Sequence, residues 1–193
     1  MITALPCFAA GERLNNVFDE LEKMNDRDKR ISTNDTAKEY YDMLQPIEQE
    51  HSYMHGCKGR PYEIFPMWLK MRVSLAGGEE EALSTYWFLK DGSPIGLGCF
   101  HHKLTEELRS SGGNIVYCIA PQYCGNGYGV EAVKLLVEAM QDYGIDEILF
   151  MIEKSNTPSL RCAQKCGAAV TKETDNEYFL TISNKPLFDD LNK

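Results

Sequence analysis

The stretch Ile115-Val116-Tyr117-Cys118-Ile119-Ala120-Pro121-Gln122-Tyr123-Cys124-Gly125-Asn126-Gly127-Tyr128-Gly129 decides how the 193-residue chain is read. It opens as an apolar strand, stops at Pro121, and crosses a loop with glycine at three alternate positions. It then enters a helix whose apolar stripe is Val130, Val133, Leu136, Val137 and Met140. Glycine lets a backbone turn tightly and lets its N–H groups come close to a ligand. A helix starting at the end of such a loop offers unpaired N–H groups and the positive end of its dipole. These residues alone point to a phosphate-bearing ligand at a strand–loop–helix junction.

Downstream, Gly144 is placed to end the helix. Residues 148–152 form a short continuous apolar run, as expected of a strand buried on both faces. Thr157 and Pro158 read as N-cap and first turn of a further helix that Gly167 ends, and two strands follow at 169–173 and 177–183. Upstream, strand-like runs at 84–90 and 95–100 flank Asp91-Gly92, a hairpin signal, and 105–109 reads as a short helix. Earlier still the pattern is helical. Leu14, Val17, Phe18 and Leu21 mark a helix over 11–24. Asn34 or Asp35 could cap another that runs toward Leu44 and stops near Pro46, and Pro66 suits the first turn of a third over 62–75. The order of elements predicts an α/β protein with one mixed sheet.

A resemblance lies in the same residues. Cys124-Gly125-Asn126-Gly127-Tyr128-Gly129 resembles the acyl-CoA loop of the GNAT acetyltransferases, Arg/Gln-x-x-Gly-x-Gly/Ala. Asn156-Thr157-Pro158-Ser159 through Lys165-Cys166-Gly167 is similar to that family's Asn-x-x-Ser-x-x-x-x-x-Lys-x-Gly segment. The resemblance covers about residues 84–183, and the segment His101-His102-Lys103-Leu104-Thr105-Glu106-Glu107-Leu108-Arg109 resembles a bacterial branch of acetyltransferases with unassigned substrate. It implies a single acyl-CoA N-acyltransferase-like domain over 1–193: a GNAT-like, mostly antiparallel mixed sheet flanked by helices. Residues 84–183 would be its cofactor-binding core, and 1–80 a divergent helical N-terminal extension.

The resemblance further implies that acetyl-CoA is the co-substrate and that a primary amine attacks its thioester directly while both are bound. The enzyme then works by positioning and charge stabilisation. The backbone of Tyr117, Cys118 and Ile119 would lie beside the pantetheine arm, with one N–H polarising the thioester carbonyl. The N–H groups of Cys124, Gly125, Asn126, Gly127, Tyr128 and Gly129 would hold the pyrophosphate, and Asn156 and Ser159 would contact the arm or organise the strand beside it. The chain departs from its relatives at Asn114, where many carry a carboxylate base, and at Ala163, where many carry a tyrosine acid. His101 and His102 are the nearest groups titrating around neutrality and are candidate bases. Tyr117 is a candidate proton donor to the leaving thiolate. The missing acid and tyrosine keep a second reading open, an acyl-CoA-binding sensor on the same fold without catalysis. A Rossmann domain would want Gly-x-Gly-x-x-Gly after its first strand, which the chain lacks.

Bulk properties narrow the partners. A net charge of −9 argues against nucleic acid and suits a cationic amine, whether a small molecule or a peptide. Seven scattered cysteines form no disulfide framework. His51 and His55 have no firm third ligand, so no metal is expected. The start of the chain has no signal-peptide pattern and no run approaches eighteen apolar residues, which implies a cytoplasmic protein off the membrane. Homodimers are common among the relatives, and a homodimer is compatible with these features.

Overall fold

Two almost continuously buried strands on either side of a two-residue turn build the hairpin at the centre of the fold. In a computed structural model, which describes residues 1–6, 36–47, 59–76 and 82–183, strands β2 (Leu83–Lys90) and β3 (Ser93–His101) pair antiparallel. Asp91 and Gly92 take left-handed φ of 50° and 86° in the turn, as a tight hairpin of matching twist requires. On one side β1 (Thr3–Pro6) adds to β2, and on the other β4 (Ile115–Ile119) adds to β3, giving the order β1-β2-β3-β4. β1 was not legible in the sequence: four residues ending in proline carry no periodicity. Pairing with β2 makes them a strand, and the Ile2 N–H is tied to Glu131 Oε2 at 2.9 Å.

The helices sandwich this sheet. Helices α1 (Thr36–Leu44) and α2 (Phe65–Ala76) cover one face, where Tyr40, Leu44, Phe65 and Trp68 pack on Trp87, Leu97 and Cys118. A short helix, α3 (Glu106–Ser110), is capped by Thr105, whose Oγ1 accepts the Leu108 N–H. Helix α4 (Tyr128–Asp142) buries Val133, Leu136 and Met140 against Phe88 and Phe100 on the opposite face. Each such side chain withdrawn from water contributes about 1.5–3 kcal/mol. Gly98 makes the fit possible, since a Cβ there would lie 2.7 Å from both Leu136 Cδ1 and Phe88 Cζ.

After α4 the chain forms β5 (Glu147–Glu153), α5 (Thr157–Lys165), β6 (Ala169–Glu173) and β7 (Glu177–Ser183). Here the expectation of one mixed sheet is corrected. The last three strands form a second sheet, β5-β7-β6, and among the described residues both sheets are wholly antiparallel. No ladder joins β4 to β5. They touch through a single bridge, Gly113 to Phe150, and through Asn114, and then part. The helix expected over 11–24, the capping residues Asn34 and Asp35, and His51 and His55 lie outside the described residues. Among the described residues no helix is long and apolar enough to cross a membrane.

Candidate functional site

Where β4 and β5 part, a cleft opens. Ile115, Val116 and Tyr117 line one wall and Phe150, Met151 and Ile152 the other, with Asn156 and Ser159 of the α5 N-terminus closing one side. Hydrogen-bond alternation tells which groups of β4 face this cleft. The Ala120 N–H donates to Ile95 O at 2.8 Å, and Asn114 O accepts the His101 N–H at 2.9 Å, both toward β3. In an antiparallel pair such bonds recur at every second residue, so Val116 and Cys118 also turn their backbone groups to β3. Those of Ile115, Tyr117 and Ile119 are left on the open edge. Of the three strand residues singled out in the sequence, Cys118 thus spends its N–H within the sheet. Its thiol is buried among the aromatic residues of the α1–α2 face.

The loop beyond β4 begins with a single 3-10 turn, Pro121–Tyr123. That turn takes the Cys124 N–H for Pro121 O at 3.1 Å, so Cys124 is not a free backbone donor. Its thiol points back to Ile119 O and Ala120 O. The Asn126 carboxamide folds over the turn and donates to Tyr123 O (3.1 Å) and Cys124 O (3.2 Å). Gly127 is the N-cap of α4 at φ 85°, a conformation that strains any residue with a Cβ, and no side chain caps the helix. The first turn closes only through Val130 and Glu131 N–H onto Gly127 O. Among the described residues none accepts the N–H groups of Gly125, Asn126, Gly127, Tyr128 or Gly129. Five adjacent donors at a helix N-terminus form a cradle for an anion.

Helix α5 makes the contrast. Its N-cap is Asn156, not Thr157 as the sequence reading has it. Asn156 Oδ1 accepts the Ser159 N–H at 3.2 Å, Thr157 is already the first helical residue, and Pro158 follows where no N–H is needed. The Ser159 hydroxyl shares a 3.0 Å hydrogen bond with Tyr117 Oη. Burial drives the Tyr117 phenol above its usual range, with the Ser159 hydrogen bond pulling the other way, so it stays protonated around neutrality. Gly129 brings α4 onto this cluster: a Cβ there would lie 2.9 Å from Cys162 Sγ and 3.9 Å from Tyr117 Cε2.

The structure therefore brings Tyr117, Asn156 and Ser159 together in the cleft and sets the glycine loop at its edge. Neither histidine joins them. His101 ends β3 and faces its neighbour Leu83 across the hairpin. His102 shares a 2.8 Å hydrogen bond with Ser84 Oγ and packs on Tyr143, ring centroids 4.2 Å apart. Burial lowers its pKa, so the ring is neutral at pH 7, but it does not line the cleft. Two neighbours of the cleft and loop residues escaped the sequence reading. Cys162 carries no signal beyond its helix position, and Lys90 reaches the Tyr128 side chain from the end of β2, where the Tyr128 hydroxyl, then Asp91, holds its pKa up.

A family model described as acetyltransferase (GNAT) domain matches residues 21–169. Among solved structures, the Campylobacter jejuni N-acetyltransferase PseH in complex with acetyl coenzyme A is similar, with a TM-score of 0.52 and 13% identity over 96% of this chain and 100% of that one. A GNAT-family acetyltransferase from Streptococcus pneumoniae aligns with a TM-score of 0.55 and 16% identity, over 76% of this chain and 92% of that one. The spermidine/spermine N-acetyltransferase SpeG from Vibrio cholerae aligns with 0.56 and 10%, over 95% of each chain. At these identities the likeness is one of fold. No curated protein sequence matches the chain.

Proposed function

The chain belongs to the GNAT acetyltransferase family, and on that premise we propose that it moves the acetyl group of acetyl-CoA to a primary amine by direct attack with both substrates bound. One observation carries this: an uncapped helix N-terminus with five free N–H groups stands at the edge of a cleft whose wall is an unpaired strand edge. An acyl-CoA presents matching chemistry, a pyrophosphate followed by an arm with two amides. The N–H groups of Gly125 through Gly129 would hold the pyrophosphate. The free edge of β4 at Tyr117 and Ile119 would bond the amides, with Asn156 and Ser159 as the facing wall.

Bound there, the co-substrate supplies an activated acetyl thioester. A free N–H of β4 steadies the negative charge that develops on the carbonyl oxygen. Tyr117 holds its proton at neutral pH and can pass it to the departing sulfur. The amine must react unprotonated, because an alkyl ammonium has a pKa of about 10. Asn114 has no basic atom to accept that proton. The acceptor, a small molecule or a peptide, approaches an acidic protein of net charge −9, which favours a cation.

Calorimetric titration with acetyl-CoA, repeated on Gly127→Trp, tests the site. Micromolar binding by the wild type, lost in the variant, supports it, and absence of wild-type binding sinks it. Thiol release with an amine then separates an enzyme from a sensor that binds without turnover.

A further inference from the structure

Asn114, just ahead of β4, is fully buried, with 0% of its surface exposed. Its side chain engages β5 through both its nitrogen and its oxygen. Nδ2–H donates to Glu147 O at 3.0 Å, and Oδ1 accepts the Leu149 N–H at 2.8 Å. A carbonyl and an N–H two residues apart are the pair that one residue of a neighbouring strand would engage. Its backbone is equally committed, the N–H donating to Leu149 O at 3.1 Å and the carbonyl accepting from His101. Gly113 lies flat on the same stretch, at φ 70°, where a Cβ would run into the Leu149 carbonyl oxygen. Beyond this point β4 and β5 share no ladder.

We propose that Asn114 is a positioning residue whose carboxamide replaces a peptide group, adds a side-chain rung to the few backbone contacts between β4 and β5 at Gly113 and Asn114, and so fixes the apex and width of the cleft. That this cleft seats the acyl-CoA arm rests on the function proposed above. An amide offers a donor and an acceptor on neighbouring atoms without a change of protonation state. An ionised aspartate keeps the bond from Leu149 but sets an oxygen against the Glu147 carbonyl, in a buried place where an unmet acceptor and a charge are both costly. A protonated aspartic acid recovers a donor. The position therefore tolerates Asp only when it is neutral, which is the opposite of what a general base requires.

The test is Asn114→Asp, read at pH 5.5 and pH 8 with two calorimetric probes: acetyl-CoA, which fills loop and cleft, and ADP, which reaches only the loop. At pH 8 the variant should bind acetyl-CoA about tenfold more weakly than wild type, a loss of about 1.4 kcal/mol. ADP affinity should stay within about twofold. At pH 5.5 the acetyl-CoA loss should shrink to within about threefold, with the wild-type affinity ratio flat across both pH values. Equal binding by variant and wild type at pH 8, or equal loss of both probes, overturns the proposal.

Thermal melts give a readout that needs no ligand. A buried Asp has a folded pKa above its unfolded value of about 3.9, so variant stability is present at low pH and lost as pH rises through the folded pKa. The melting difference from wild type should therefore widen by about 4 °C or more between pH 5.5 and pH 8. A constant difference overturns the clasp even if acetyl-CoA never binds. Failure of wild-type binding alone sinks only the acyl-CoA reading of the cleft. Should the variant fail to fold at pH 8, the wild type still decides by hydrogen exchange. One Asn114 side-chain amide proton must exchange as slowly as strand amides, and fast exchange of both overturns the proposal.

Discussion

At Gly129 helix α4 lies against helix α5. The glycine leaves room for the Cys162 thiol, which a Cβ would approach to 2.9 Å. Two effects of Gly129→Ala compete. Alanine favours helix by up to about 1 kcal/mol, less in a first turn, while overpacking costs about 1–3 kcal/mol when the neighbour cannot yield. A cysteine side chain is short, so little of the strain can be relieved and the clash should win. Gly129→Ala is expected to destabilise the protein by about 1 kcal/mol, and the same change in a Cys162→Ala background should be neutral or stabilising. A double-mutant cycle by urea unfolding should give a coupling of about 1 kcal/mol or more. No coupling would mean that the thiol swings aside freely. The residue pattern Gly-x-Gly-x-Gly advertises this glycine, but the reason for it stands 33 positions away in the chain.

Helices α4 and α5 meet the same requirement, four orphan N–H groups at an N-terminus, in opposite ways. Asn156 caps α5 from within, whereas α4 starts on Gly127 with no side-chain acceptor. The capped helix is structural and the uncapped one is available. Asn156→Ala should cost about 1 kcal/mol by chemical denaturation, and Asn156→Asp should keep the cap and most of the stability. Because Ser159 sits in that first turn and bonds Tyr117, the alanine variant should also lose acetyl-CoA affinity, and the aspartate variant less. Retention of full stability by Asn156→Ala would show that the cap contributes nothing here.

Across the whole molecule, the first sheet is covered on both faces, and its two buried thiols record how dry the α1–α2 face is. Burial pushes Cys99 up to about 11 and Cys118 up to about 12, with Arg72 pulling Cys99 slightly back. Both folded values exceed the unfolded thiol value of about 8.5. Stability linked to these thiols is therefore complete below that pH and declines above it as the unfolded state sheds its protons first. Each thiol should contribute a slope of about 1.4 kcal/mol per pH unit within that window. Urea unfolding between pH 7 and 10.5 should show the decline, made shallower by Cys99→Ala or Cys118→Ala. An unchanged slope in both variants would mean that water reaches these thiols. The sequence by itself determined what local periodicity and turn chemistry carry: the Asp91-Gly92 hairpin, the strand–loop–helix around 115–129, the helix ended by Gly167, the last two strands, and the motif pair that marks the family. Those features depend on residues adjacent in the chain. Only the tertiary structure decided what depends on partners far apart in it. It made a strand of Thr3–Pro6 and split the sheet in two. It turned the Cys118 backbone away from the cleft, occupied His102 with Ser84, and committed Asn114 to β5. Partners far apart in the chain, such as the Glu147 and Leu149 groups 33 and 35 residues from Asn114, leave no periodic trace, so these assignments are visible only once the chain has folded.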